Sequence, residues 1–526
     1  MLNIRQRRQR IASTLAQQGG QTIREIARAT GIPKSSVHRH QQAIKRGREL
    51  PESALWETSV GEEWLKRLVV SAIYVFGLKR GVGAESLCEF FQKLHLEHQI
   101  GVSVSSVRKI QSKLEEEILN YQKEQHQTLS QKQESVSALC VAMDETWFEQ
   151  TVLVMMDLSS GYLLVEERAE NQRYESWKEP VQRMLQQWGF SIKYCVNDRA
   201  KALLKLALAD LGCPSIADLF HAMRKLSQSV GFELERRLTH LRRRLREEHE
   251  KSAPNEAEGE VLNAEYNKLV KAQSQFRQIL MQISLELHPF DTTTLLVQST
   301  LQVASGLHNQ VEQLKQFRQE QNLQDNSGGI DKFKRQIDDL AQVVDLWWQW
   351  VEQSLASQAL AQTFITWLMT VLLPCCYWEC QTQRTDKPAL RIHYQEAWEQ
   401  AQLALKQHPL TLSLDPATYD HWYAWACEMV MKFQRTSSPV EGRNGYLSQI
   451  HHNTRGLSPR RLQVMTVLHN FDLQRADGST AAQRLFKQPQ PDLFLTVLAH
   501  MPELPLPRKR SKLSVSTTTT VSTVPA

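Results

Sequence analysis

Three carboxylates stand out by where the sequence puts them. Asp144 ends the apolar part of "ALCVAMDETWF" (Ala138 to Phe148), and Asp198 closes "SIKYCVND". Glu441 is the one acid in the polar, turn-rich "RTSSPVEGRNGYLSQIHHNTRGLSPRRL". Strand interiors rarely hold an ionised carboxylate, because burying one unpaired is costly. Acidic oxygens converging from separate segments suit a hard divalent cation, which neutralises a phosphodiester and activates an attacking oxygen. One carboxylate cannot position two metal ions. The expected site therefore uses Asp144, Asp198 and Glu441 together, as catalytic residues and as ligands of two Mg²⁺ or Mn²⁺ ions.

Each of the three also has a plainer reading. Asp144 could be a strand-end residue bonded to a loop, Asp198 an N-cap for the helix after it, and Glu441 a helix-start acid favoured by the helix dipole. Asp144 and Asp198 on neighbouring strands, at the edge where α/β sheets collect ligands, favour the metal reading. Alternation puts Cys140, Ala142 and Asp144 on one side of their strand and Glu145 on the other. Asp157 sits beside Leu158-Ser159-Ser160-Gly161 and reads as a turn residue. Glu428 lies in a Trp-rich amphipathic helix and reads as packing or solvation. Arg443 and Asn444, just after Glu441, suit contact with a DNA backbone.

The elements around these residues follow from periodicity. From 138 onward, short runs rich in β-branched and aromatic residues alternate with turn signals. Three strands are expected, then a helix from about Tyr174 to Trp188. The strand ending at Asp198 follows, then a helix in "RAKALLKLALADLG" and a short strand near "SIADLF". The order β-β-β-α-β-α-β is that of an α/β ribonuclease H-like core, expected over 136–222 with its last part, carrying Glu441, at 436–490. Between them, 223–435 reads as a large all-α insertion. Residues 491–526, ending in "SVSTTTTVSTVPA", read as a disordered tail.

The N-terminal end carries the charge. Residues 1–48 hold eleven Lys/Arg against Glu25, while the whole chain is only +6. That asymmetry points to a polyanion met mainly through one end. "QTIREIARATGIPKSSVHRHQQAIKRG" has helix-turn-helix grammar: Ala27, Gly31 and Val37 at crossing positions, and Pro33 opening the second helix. Lys34, Ser35, Ser36, His38, Arg39 and Gln42 then remain for a DNA groove, and His40 stands where an apolar residue is usual. A DNA-binding helix-turn-helix module over 1–50 is expected. Residues 51–135 are expected to hold a second helical module with a linker, because Ser105-Ser106-Val107-Arg108-Lys109 echoes Ser35-Ser36-Val37-His38-Arg39.

Eight scattered cysteines and no secretory leader imply a reducing cytoplasm, with nucleoid association following from DNA binding. Cys375, Cys376 and Cys380 read as buried thiols rather than zinc ligands. "TFITWLMTVLLPCCYW" reads as a buried core helix, so no membrane association is expected.

Taken together, "MDET" at Asp144, "NDRAKAL" at Asp198, "SSPVEGRNG" at Glu441 and "DLFHAMRKL" resemble the DDE transposases of bacterial insertion sequences, which have a ribonuclease H fold. The resemblance implies binding of double-stranded DNA at terminal inverted repeats, metal-dependent strand cleavage, and transfer of the freed 3′ end to target DNA. It also implies a homo-oligomer on DNA. A DNA-binding regulator that keeps the fold without the catalysis is the alternative, and a nuclease that cuts without joining is a third.

Overall fold

Thr22 starts the second helix of the chain by a reciprocal cap: its hydroxyl accepts from the Glu25 N–H, and the Glu25 carboxylate accepts from the Thr22 N–H at 2.7 Å. Such capping boxes satisfy helix-start donors that nothing else can reach. The computed structural model describes residues 4–17, 20–49, 55–56, 58–132, 138–251, 256–325 and 328–507. They fall into two compact units. One comprises the chain up to Thr128, Ser448–Asp472 and the residues from Pro489; the other comprises Leu129–Leu447 and Leu473–Gln488.

The first unit opens with α1 (Ile4–Gln17), α2 (Ile23–Thr30) and α3 (Lys34–Glu49). Gly31 closes α2 at φ +68°, with its N–H bonded to the Ala27 carbonyl. Residues with a Cβ adopt that backbone at a cost, so glycine suits the tight turn into α3. Ile11, Ile26, Ile32 and Val37 form the core of the three helices, with Leu15, Ile23, Ala27 and Ile44 packed against it. Then come α4 (Ser59–Ala72), a π-helical turn at Ile73–Leu78, α5 (Ala84–Lys93) and α6 (Val104–Lys132).

Two expectations change here. The Gln- and Lys-rich stretch around 121–135 is the linker expected from the sequence, but residues 121–132 are the last three turns of α6, with Tyr121 buried edge-on to Phe471 and its hydroxyl donating to the Pro491 carbonyl at 2.6 Å. The span expected to be a disordered tail contains a helix, Leu493–His500, capped by Asp492, with Leu493 and Val497 buried one turn apart. The remainder of that tail, 508–526, lies outside the described residues.

The second unit holds a small mixed sheet: β1 (Ala138–Phe148), β2 (Gln150–Asp157), β3 (Leu163–Ala169), β4 (Ser191–Asn197) and β5 (Ser215–Ala217), with α7 (Tyr174–Trp188) and α8 (Lys201–Leu206) between strands. The strand order is β3-β2-β1-β4-β5. The β1–β2 and β2–β3 pairs are antiparallel, and β1–β4 and β4–β5 are parallel. Most of β1 and β2 is fully buried, which fits their near-continuous apolar runs.

Helices then dominate, led by α9 (Leu219–His249) and α10 (Glu256–Glu286) and continuing to Met431. Trp347 is buried there, its indole N–H donating to the Met429 carbonyl at 2.7 Å. The apolar stretch around Pro374 lies within Gln362–Arg384, which among the described residues is the helical run long and apolar enough to cross a membrane. Its Trp367, Leu372, Tyr377 and Trp378 are buried, and its second half packs against the helices Pro388–Gln407 and Pro416–Met431. Cys375 and Cys376 are buried there as free thiols, and Cys380 is half-buried.

Candidate functional site

The N-terminal helices divide their residues cleanly between inside and outside. Val37 is fully buried, while Lys34, Ser35, His38, Arg39 and Gln42 along α3 are exposed and Ser36 is half-buried. The face named from the sequence is thus available to a groove. His40 is buried, and desolvation first, then the charges of Arg8, Arg39 and Arg7, hold its pKa below the ordinary histidine value. At the start of α6, Ser105, Arg108 and Lys109 are likewise exposed around a buried Val107.

In the second unit the question is how Glu441 returns to the sheet after the long helical stretch. A strap at 432–437 does it. The Tyr194 hydroxyl on β4 donates to the Lys432 carbonyl at 2.7 Å and accepts from the Gln434 N–H at 2.9 Å. The Leu219 N–H donates to the Arg435 carbonyl at 3.1 Å. Asp218, fully enclosed, accepts from both the N–H and the hydroxyl of Ser437, at 3.0 and 2.6 Å. The helix Ser438–Thr454 begins there and places Glu441 in its first turn.

Asp218 also holds His221, which sits one turn into α9. Its Oδ2 meets His221 Nδ1, and His221 Nε2 faces Glu441 Oε1 at 3.3 Å. Burial alone would raise the Asp218 carboxyl, but the bonds from His221 and Ser437 outweigh it and hold it below the usual range. The Asp218 bond in turn raises His221 against the opposing effect of burial, with Asp144 and Glu441 adding to the rise. Burial first, then the negative charge of Glu441, pushes Asp144 up to about 7. Asp144 and Glu441 therefore share one small, electrostatically strained space. Asp218 and His221 lie in "DLFHAMRKL", which enters the sequence reading only as part of the resemblance, with no role given to either residue. The Asp-x-x-His spacing at a helix start was the available signal, since it puts both side chains on one turn.

The other expected residues divide. Asp198 is exposed, and its Oδ1 accepts from the Ala200 N–H at 2.9 Å in a local turn. Ala142 pairs with Val196, so extending the register would bring Asp198 level with Asp144. Arg199 at φ +69° turns the chain first, and the Asp198 charge acts on Glu145 instead. Glu145 accepts from the Trp177 indole at 2.9 Å. Arg443 and Asn444, expected to face DNA, point inward. Arg443 makes a doubly hydrogen-bonded pair with Glu166 on β3, at 2.7 and 2.6 Å, with both side chains almost completely buried. Asn444 Nδ2 donates to Asp144 Oδ2 at 3.0 Å. Neither side chain is free for a phosphate, because each is consumed in fixing the Glu441 helix to the sheet. Asp157 anchors its turn through Ser159 and Ser160, and Glu428 pairs with Lys432 and Lys487.

The donor set bears on a metal. Among the described residues no group of three or more His, Cys, Asp or Glu side chains is arranged to hold an ion, so the expected three-carboxylate, two-ion set is not assembled. Asp144 and Glu441 remain, and beside them the Asn444 side-chain oxygen is buried with no hydrogen-bond partner. Two carboxylates and a spare amide oxygen fit one Mg²⁺, which keeps several waters and takes one or two carboxylates plus substrate phosphates.

Comparison with known families decides the first of the two regions. Residues 11–43 match the IclR helix-turn-helix domain. The chain thus carries an N-terminal DNA-binding domain of this type, followed by a mostly helical body with a small mixed sheet. Residues 368–513 match a family of unknown function (DUF6399), a span that contains Glu441, Arg443 and Asn444. Neither match names a catalytic activity, and no curated protein matches the chain.

Proposed function

We propose that the protein is a DNA strand-cleaving and strand-transferring enzyme of the DDE transposase type, with the helix-turn-helix domain as its duplex-reading end. The observation that carries the reading is the return of Glu441 to Asp144, nearly three hundred residues apart in the chain, around a histidine held by Asp218. The strand order, three antiparallel strands extended by two parallel ones, supports a ribonuclease H-like core. Asp144 and Glu441 would hold a divalent ion with the Asn444 oxygen. A bound Mg²⁺ or Mn²⁺ would neutralise the scissile phosphate and acidify the attacking water. Asp218 orients His221, whose Nε2 meets Glu441. Asn444 fixes the Asp144 carboxylate, and the Arg443–Glu166 pair sets the helix that carries Glu441. Terminal inverted repeats and target DNA are the proposed substrates, and a homo-oligomer on DNA the proposed working form.

The test is strand cleavage of duplex DNA carrying the ends of the element, in Mg²⁺ or Mn²⁺. Asp144→Asn and Glu441→Gln should each abolish cleavage while duplex binding stays at the wild-type level. Cleavage that survives either substitution rules the assignment out. One observation favours a second reading, a DNA-binding regulator on the same fold: Asp198 stands apart from the other two acids. Wild-type protein that binds duplex tightly yet never cuts it in either metal would favour the regulator.

A further inference from the structure

The second unit contains a cleft of about 1260 Å³, formed by α9, α10, the end of the helix Leu373–Arg384, the strap at 433–439 and the loop at Arg475. Small-molecule sites usually measure about 300–1,000 Å³, so this cleft has room for something longer. Its charge is one-sided. Arg224, Arg277, Arg384, Lys387, Arg435 and Arg475 line it, against Asp386 as the one acid. Arg435 is tied to the Ser284 and Leu287 carbonyls and Arg475, at 3.4 Å, to the Ser159 carbonyl; apart from Arg435, the five cations make no ion pair among the described residues. Four of them, Arg224, Arg277, Arg384 and Arg475, are exposed arginines from four separate segments. Arg475 feels Arg384 directly: desolvation first and that like charge second hold its pKa below the ordinary arginine range. Asp477 and Asp157 offset this in part from outside the lining, but the lining itself keeps six cations against Asp386, and such an excess of like charge marks where an anion is worth most.

The cleft also has an aromatic platform and an address. Phe220, 36% exposed, lies in its wall and directly precedes His221. Ser438 and Pro439 line it just before Glu441. Phosphate-binding cations spaced along a groove, with an exposed ring for a base, are the recurring means of holding single-stranded nucleic acid. A concave cleft of this volume takes one strand rather than a duplex. We propose that it binds a single strand of DNA, with phosphates on Arg224, Arg277, Arg384 and Arg475 and a base laid on Phe220, leading toward the Asp144–Glu441 pair. The choice of DNA and the role in the reaction rest on the proposed function above; the binding itself does not.

The experiment is fluorescence anisotropy of the full chain with a labelled single-stranded DNA of about 15 nucleotides, beside a labelled duplex. Arg224→Glu with Arg277→Glu, and independently Arg384→Glu, should each weaken single-strand binding at least about tenfold and flatten its salt dependence. These side chains are exposed, so melting temperatures should not move. Phe220→Ala should cost about tenfold. Arg39→Ala should weaken the duplex complex and leave the single-strand complex unchanged. Single-strand affinity untouched by the charge reversals, or lost equally in Arg39→Ala, overturns the proposal, as does tighter binding of an RNA of the same sequence. A protein that holds the strand through these arginines but never cleaves DNA would end the catalytic reading and leave this site standing.

Discussion

The helix-turn-helix and the acidic site are built on opposite plans. In the first, everything lies within one short stretch: Ile26, Ile32 and Val37 turn inward along α2, the turn and α3, and Lys34, His38 and Arg39 turn outward on α3. In the second, Asp144, His221 and Glu441 come from a strand and two distant helices, and their supports are buried. A reading head needs only a rigid local frame with a solvated face. A site that concentrates negative charge needs long-range fastening, because the acids repel one another and separate unless the backbone is held.

That contrast can be broken from the fastening side first. Arg443→Ala takes the doubly hydrogen-bonded guanidinium away from the buried Glu166 carboxylate, and should cost about 3–5 kcal/mol of folding stability in the second unit. Replacing both partners with apolar residues should recover much of that loss in thermal unfolding. If Arg443→Ala instead weakens DNA binding at unchanged stability, the phosphate contact expected from the sequence is the better account.

On the reading side the effects are smaller and should leave the cleavage proposed above, measured at saturating DNA, untouched. Arg39→Ala should cost about 1–3 kcal/mol of duplex affinity, measured by titration, with a salt slope shallower by about one unit. Thr22→Ala removes the cap of α2 and should lower the stability of the N-terminal helices by about 0.5–2 kcal/mol, seen in chemical denaturation. An unchanged midpoint would mean the box contributes nothing there.

The smallest effect is a pH dependence of the same helices. His40 is depressed in the fold, so the unfolded chain takes up its proton first. Its contribution is complete above the unfolded value of about 6.5 and fades as pH falls through the folded value. The thermal stability of the N-terminal helices should therefore fall as the pH drops below about 6.5, and His40→Leu should flatten that trend. An identical pH profile in the variant would place the titration elsewhere.

What the sequence disclosed follows the same division. Strand and helix positions from Ala138 to Ala217 were legible because period and turn residues are local signals. So was the outward face of α3. Glu441 could be nominated but not placed, since its return depends on Tyr194 and Asp218 gripping a strap more than two hundred residues away. Arg443 was misread for the same reason: an arginine in a polar, turn-rich segment looks solvated until Glu166, 277 residues earlier, is known to meet it. Asp198 reads from the sequence as a strand-end neighbour of Asp144, and a single left-handed residue after it, Arg199, turns the chain away there.

The hydrogen bond from the Leu219 N–H to the Arg435 carbonyl has one more consequence. It joins the two points where the chain leaves the sheet-bearing part and comes back to it, so the helices between form a closed excursion with adjacent ends. The entropy of closing such an excursion grows only with the logarithm of its length. A change in the length of the excursion therefore adds little closure entropy, and Asp144 and Glu441, which lie outside it, keep the same anchor points on either side of the strap. In evolutionary terms the excursion is a cassette and the strap is its socket.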